Sequence, residues 1–352
     1  ITTKGVGYDA FPDREEDLEI AEDKTGVALH GDNVLVRHLG KGFRRPQGEV
    51  VKIISRRKET FVGTIVKDKG KVVFMPDDRK VNIPFSIPQN ATPDYKVLAK
   101  LVSWTNKKES PQAEILQVIG KKGDNNSEMH SIILDRGFSP TFPEEVDQEA
   151  ESVKKQSESD FAKEIKNRRD IRDTLTFTID PFDAKDFDDA LSYKTLPNNL
   201  IEVGIHIADV SHYVRPNTAL DKEAQQRATS IYLVDRTIPM LPEVLSNDLC
   251  SLKPNEDKLA FSAIFELDAS GVVQKSWFGK TVINSNHRFT YESAQESILG
   301  KNELYKAELQ TLNKIAKTML AKRSEKGAIS FEQDEVKFEL DEKGKPLRIY
   351  KK

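Results

Sequence analysis

The chain has 352 residues, 54 Lys and Arg, 57 Asp and Glu, and a formal net charge of −3, so it is too long for one hydrophobic core and should hold several modules. Its single cysteine, Cys250, excludes a disulfide framework and any Cys-rich zinc site, and fits a reducing compartment. No stretch approaches the roughly 18 apolar residues of a membrane span and no signal-peptide pattern opens the chain, so a cytoplasmic protein without membrane attachment is expected.

Residues 1–122 carry 22 Lys and Arg against 17 Asp and Glu, and the remainder carries 32 against 40. A basic front and an acidic remainder suit a protein that grips phosphate with one part and holds cations with another, although two ordinary solvated surfaces give the same split. In the front part, short alternating runs recur at Asp32–Arg37, Gly48–Ile54, Thr60–Val66, Lys71–Met75, Tyr95–Trp104 and Ala113–Ile119, with Gly, Pro, Asp and Asn between them. That spacing predicts small β-barrels. The two halves echo each other, Ala28–Val36 before Gly48–Ile54 as Pro93–Ala99 before Ala113–Ile119, so two copies of one barrel are expected at 1–56 and 57–120, the first shortened at its start. Lys41, Arg44, Arg45, Arg56, Arg57, Lys58, Lys67, Lys69 and Lys71 could line a basic groove. Phe43, Phe61, Phe74 and Trp104 are either stacking platforms or core, and core is the commoner fate of strand aromatics.

A linker is expected over 121–143, followed by a helix from about Glu144 through Phe161 and Ile165 toward Arg168–Asp173, so that 121–170 is linker and helix. Leu175–Ile179 alternates as a half-buried strand, and strands follow at Ala190–Tyr193 and Leu200–Ile207. Between them, five aspartates fall within ten residues: Asp180, Asp183, Asp186, Asp188 and Asp189. Like charges packed so closely raise one another's free energy, and a hard divalent cation with oxygen ligands is one answer. A solvated acidic loop is the general alternative, but the flanking buried strands hold this loop in place. A calcium hand fails, because Lys185 and Leu191, or Leu191 and Pro197, occupy the places of its obligatory Gly and Glu. Further on, a helix is predicted over about 302–323 with the stripe Leu304, Leu309, Leu312, Ile315, Ala316, Met319 and Leu320. Strands are predicted at Ala328–Phe331 and Val336–Leu340, with a hairpin turn at Asp341–Gly344.

The run Asp180–Ala190 resembles the signature of the RNB family of processive exoribonucleases, and the likeness continues through Gly204–Pro216, Ala228–Tyr232, Ile238–Asn247 and Leu249–Pro254. The resemblance implies a multidomain chain: two N-terminal all-β, cold-shock-like OB-fold barrels and an incomplete mixed α/β RNB catalytic domain at 171–352. It implies hydrolytic 3′-to-5′ exoribonuclease activity on single-stranded or 3′-overhang RNA, by a monomer with no organic cofactor and with two Mg²⁺ ions, Mn²⁺ being the alternate. Two such ions about 3.5–4 Å apart can activate water and stabilise both the phosphate and the leaving oxygen. On this likeness Asp180 and Asp189 hold the tighter ion, while Asp186 and Asp188 serve the second ion and the attacking water, with Asp188 the most sensitive. Asp183 is assigned to loop hydrogen bonding, Tyr232 to stacking on the 3′-terminal nucleotide and Tyr291 to ribose contact. Ser211 and His212 adjoin Asp209, but adjacency is not triad geometry and a structural role is expected. The opening strand Gly5–Pro12 departs from the family's aromatic pattern. The family's later arginine motif and C-terminal S1 barrel do not appear, so the chain is expected to be a piece of a longer protein and inactive by itself. The rival from another class is an RNA-binding protein whose RNB-like domain is inert, which would be expected to have lost some of the four ligand aspartates.

Overall fold

Alternating runs of apolar and polar residues become strands wherever one face can be buried. The computed structural model describes residues 1–2, 4–9, 16–41, 45–81, 83–197, 199–329, 336–342 and 344–351. The chain divides into two units, Ile1–Thr141 and Phe142–Lys352.

The first unit begins with β1 (Gly7–Asp9), β2 (Leu18–Ile20), β3 (Asn33–Lys41) and β4 (Pro46–Ser55). β1 pairs antiparallel with β2, β2 parallel with β4 and β4 antiparallel with β3. The second module consists of β5 (Thr60–Asp68), β6 (Lys71–Pro76), β7 (Phe85–Ser86), β8 (Tyr95–Ser103) and β9 (Gln112–Lys121). Here β6 pairs antiparallel with β7, β7 parallel with β9 and β9 antiparallel with β8, repeating the first pattern. The difference is β5, which pairs with both β6 and β8 and closes a barrel. Among the described residues the first module has no counterpart of β5 and stays an open four-stranded sheet. The two expected barrels are thus one closed barrel and one copy of it that lacks the closing strand.

Phe61 and Phe74 are core residues, packed edge-on against Phe85 with ring centroids 5.5 and 5.7 Å apart. Trp104 is held by its Nε1, which donates to the Glu109 carbonyl at 3.0 Å. Arg56 is committed to the buried Asp32 carboxylate and Lys58 to Asp135, so neither is a free groove cation. Phe43, Arg44 and the side chain of Lys41 lie outside the described residues, as do Ala10–Pro12.

A helix, α1 (Asn125–Asp135), occupies the middle of the stretch expected to be linker. Asp124 caps it, accepting from Ser127 N at 3.0 Å, and Ser127, Ser131 and Ile133 are buried. Ile133 is its one fully buried large apolar side chain, with Met129 and Leu134 half-buried, too little to give the sequence an apolar period. Ion pairs fix both ends, Lys96 to Glu128 at 3.3 Å and Lys58 to Asp135 at 2.6 Å. The helix approaches β9 so closely that a Cβ on Gly120 would lie 2.0 Å from Ser127 Oγ.

The second unit runs α2 (Glu144–Ile165), β10 (Arg169–Asp170), β11 (Leu175–Asp180), β12 (Asp189–Thr195), β13 (Ile201–Ala208), α3 (Val210–Tyr213), α4 (Ala219–Arg227), β14 (Ile231–Tyr232) and β15 (Thr237–Ile238). It continues with β16 (Asp257–Leu267), β17 (Val273–Asn284), β18 (His287–Thr290), α5 (Tyr291–Ile298), α6 (Lys306–Glu325) and the hairpin β19 (Val336–Leu340) and β20 (Pro346–Lys351). Seven strands form a mixed sheet in the order β10-β17-β16-β13-β12-β11-β18. Its main core joins Phe187, Ala190, Ala208, Leu220, Leu245, Leu252 and Leu259 with Val146 and Ala150 of α2. A second core packs Phe177 and Phe289 against Ala294 of α5 and Leu309 of α6. Leu309 and Ile315 of the predicted α6 stripe are buried, whereas Met319 and Leu320 are 51% and 62% exposed. The strand expected at Ala328–Phe331 reaches residues outside those described, and Ala328 and Ile329 are not extended in a ladder.

Candidate active site

Adjacent strands bring the two ends of the aspartate run together. β11 and β12 are antiparallel neighbours, so Asp180 at the end of one and Asp189 at the start of the other share one edge of the sheet. Residues 181–188 between them form neither helix nor strand, so the loop must be held by side chains and by single backbone bonds. The buried Phe187 ring anchors it in the main core. Ser251 Oγ donates to the Lys185 carbonyl at 2.8 Å and accepts from Phe187 N at 3.1 Å, and Leu252 N donates to Phe187 O at 2.9 Å. Ala208 N closes the far end on Asp188 O at 3.0 Å.

Within that frame the carboxylates disturb one another. Burial raises Asp180 above the ordinary carboxylate range, opposed by the nearby Thr178 hydroxyl and Arg288 and reinforced by Asp189 and Asp186. Thr178 Oγ1 and Asp180 Oδ2 are both buried without a hydrogen-bond partner. Asp188 reaches the surface, yet desolvation followed by repulsion from Asp186, Asp189 and Asp180 raises it as well. Among the described residues, no three His, Cys, Asp or Glu side chains converge closely enough to ligate a single ion. Asp180, Asp186, Asp188 and Asp189 therefore form a cluster in their electrostatics, with no three of them gathered around one ion's position. The donor set, oxygen-only and with an orphaned Asp180 oxygen facing other carboxylates, fits a hard divalent cation. Asp183 is exposed, and the side-chain bonds that tether the loop come from Ser251 and Arg288.

Tyr232 reaches this cluster: its ring is 70% exposed and its hydroxyl stands 3.5 Å from Asp186 Oδ2. Burial raises its phenol, with further contributions from Asp186 and Asp188. Tyr291 is 54% exposed at the start of α5. Parallel pairing of β18 with β11 sets Thr290 opposite Asp180, so Tyr291 stands one residue beyond the partner of Asp180.

Asp209, Ser211 and His212 do not form a triad. Ser211 Oγ donates to Asp209 Oδ1 at 2.8 Å, the buried Arg168 guanidinium meets Asp209 Oδ2 at 2.7 Å, and His212 Nδ1 turns to Glu164 at 3.7 Å. Burial would raise Asp209, but Ser211, Arg168 and Lys280 together hold it below the usual carboxylate range. Burial pushes the Cys250 thiol up to about 12, so it is no nucleophile at neutral pH. Ser251 lies in the segment Leu249–Pro254, but neither it nor Arg288 is marked as functional by the sequence. A small hydroxyl inside the apolar run Leu249–Leu252 was the one visible signal.

Residues 168–352 match the family model of the RNB domain, and residues 74–143 match that of a cold shock domain. The chain belongs to the RNB family. Within it, the resemblance is to bacterial ribonuclease R: the chain is 37% identical to ribonuclease R of Thermotoga maritima over 97% of its own length and 50% of that protein's. The fold is similar to apo RNase R of Mycoplasma genitalium, with TM-score 0.86, 24% identity and coverage of 100% of this chain and 57% of that one. It is also similar to the same enzyme in complex with double-stranded RNA, with TM-score 0.77, 26% identity and coverage of 94% and 57%. Yeast Ssd1, a pseudonuclease, shares the fold with TM-score 0.66 and 19% identity over 92% of this chain and 47% of its own. The chain spans about half the length of the curated relatives it matches. No helix among the described residues is long and apolar enough to cross a membrane.

Proposed function

We propose that this chain carries the metal-binding half of a processive, hydrolytic 3′-to-5′ exoribonuclease, which releases nucleoside 5′-monophosphates from single-stranded or 3′-overhang RNA in the cytoplasm. The observation that carries this reading is the aspartate loop itself: mutually repelling carboxylates fixed at the end of adjacent buried strands, with the Tyr232 hydroxyl 3.5 Å from Asp186. Asp180 and Asp189 would hold one Mg²⁺, and Asp186 and Asp188 a second. Such ions supply an activated water and neutralise charge on the scissile phosphate. The exposed Tyr232 ring offers a face on which a terminal base can stack, worth about 1–3 kcal/mol. Tyr291, beside the Asp180 strand end, is placed to meet the ribose, whose 2′-hydroxyl distinguishes RNA from DNA. The similarity to a ribonuclease R in complex with double-stranded RNA supports an RNA substrate. A fold shared with a pseudonuclease does not by itself imply catalysis, but the presence of all four ligand aspartates favours the enzyme.

The test combines the intact mass of the purified protein with release of mononucleotides from a 3′-overhang RNA in Mg²⁺. Wild type whose mass exceeds that of this chain should release nucleotides, and Asp188→Asn in it should lower the rate by at least about 10²–10³-fold. RNA that binds equally with and without Mg²⁺ and is never cut, by protein longer than this chain, would overturn the proposal.

A further inference from the structure

We propose that Arg288 is a positioning residue for the aspartate loop: its guanidinium clamps the backbone just after Asp180 and so fixes the first carboxylate relative to the other three. The role rests on the functional reading above, because it concerns the same carboxylates.

The two halves of the loop are held unequally. The far half has the buried Phe187 ring, Ser251 on two backbone groups, Leu252 on a third and Ala208 on Asp188 O. The near half has one internal turn bond, Ala184 N to Pro181 O at 3.1 Å. Phe182, the apolar residue that could have anchored it, is 82% exposed. What remains is Arg288, whose Nη2 donates to the Pro181 carbonyl and, at 2.8 Å, to the Phe182 carbonyl. Its guanidinium also stands over the Phe187 ring at 5.5 Å, which links the near half to the anchor of the far half. The backbone of Arg288 is itself fixed, since β18 pairs with β11 and sets Arg288 opposite Thr178, two residues before Asp180. One side chain thus connects the strand that carries Asp180, the carbonyls that follow it and the aromatic that anchors the rest. A planar guanidinium can lie over a ring while one of its nitrogens reaches two carbonyls; an ammonium could reach the carbonyls but has no flat face to lie over the ring.

The two things an arginine could do here have opposite signs. As a bare positive charge beside the cluster it would repel a divalent cation, and its loss would tighten metal binding. As a clamp it pre-organises the ligands, and its loss would weaken metal binding by about 10–100-fold, the usual cost of removing a group that orients ligands.

The experiment measures Mn²⁺ affinity of the 352-residue chain by the EPR signal of free Mn²⁺, for wild type, Arg288→Met, Arg288→Lys and Asp188→Asn. Hydrogen exchange of the 182–188 amides is followed in metal-free buffer. Arg288→Met should bind Mn²⁺ about 10–100-fold more weakly, and its 182–188 amides should exchange at least about tenfold faster while the strands keep their protection. Arg288→Lys should fall between it and wild type, and it decides the matter if the Met variant does not fold. Affinity that is unchanged or tighter in both variants overturns the clamp. If wild type itself binds no Mn²⁺, the metal reading of the aspartates fails instead. The exchange data then judge the clamp alone, with unchanged loop exchange in Arg288→Met overturning it.

Discussion

The RNB-domain unit holds two acidic centres built in opposite ways. Asp209, at the end of β13, is buried and fully answered: Arg168, Ser211 and Lys280 surround it, and Arg168 reaches on to Glu164 and to the carbonyls of Ala260 and Thr281. Asp180, at the end of β11, and Asp188, just before β12, face other carboxylates, and the Arg288 cation opposes the rise of Asp180. The first carboxylate is held below its ordinary range and the others above it. A carboxylate whose charge is met by the protein is part of the fold. One left facing its own kind costs the fold stability and persists where something outside the chain meets it.

The largest expected effect lies on the answered side. Asp209→Asn removes the buried partner of the Arg168 guanidinium and leaves it only the partly exposed Glu164, and breaking a buried pair typically costs about 3–5 kcal/mol, so a loss near the lower end, about 3 kcal/mol, is expected. Urea unfolding should show this loss for Asp209→Asn and none of comparable size for Asp188→Asn. Equal costs would erase the distinction. Next comes His206, fully buried on β13, where it pairs with Ser262 Oγ at 2.7 Å and where burial depresses it to about 4. Unfolded, it titrates near about 6.5. The unfolded chain therefore takes up a proton that the folded chain refuses, so stability present above about pH 6.5 is lost as the pH falls toward 4, by about 3 kcal/mol. His206→Asn, which keeps a polar atom near the Nδ1 position, should flatten that slope in urea midpoints taken from pH 7 to 4. A variant with the wild-type slope would assign the effect to other histidines.

The unequal legibility of these centres has a physical cause. Five aspartates in ten residues are visible in any reading of the chain, and alternation announced the strands on either side of them. Tethers are different: Ser251 and Arg288 act on backbone carbonyls, and a bond to a carbonyl leaves no period and no complementary residue type in the partner. Asp209 was visible as a motif residue, but its buried partner Arg168 comes from another element, beyond the reach of local pattern. The β-modules make the same point. The echo between Ala28–Ile54 and Pro93–Ile119 revealed two copies, yet which copy closes depends on β5 finding both β6 and β8, a long-range pairing. The predicted stripe of α6 ran past its burial because periodicity shows which residues share a face, not how far the neighbour extends.

On the unanswered side the effects are smaller and depend on the ion. Mg²⁺ at about 100 times its dissociation constant should stabilise wild type by about 2.7 kcal/mol, read as a rise in melting temperature, and Asp188→Asn should abolish that rise while Asp209→Asn keeps it in whatever fraction still folds. In metal-free buffer the sign reverses. Because Asp180 and Asp188 are raised in the folded state, the stability linked to their protonation is present below the unfolded carboxylate range, near about 3.9, and is lost as the pH rises through their raised folded values. Asp188→Asn should therefore be more stable than wild type at neutral pH without metal, and this advantage should shrink on acidification. Asp188 is surface-reachable and screened, so the gain should stay below about 1 kcal/mol. Melting curves in chelator at pH 7 and pH 4 measure it directly. If Asp188→Asn is instead the less stable protein at pH 7 without metal, the carboxylate is answered by some group of the chain, and the contrast with Asp209 does not hold.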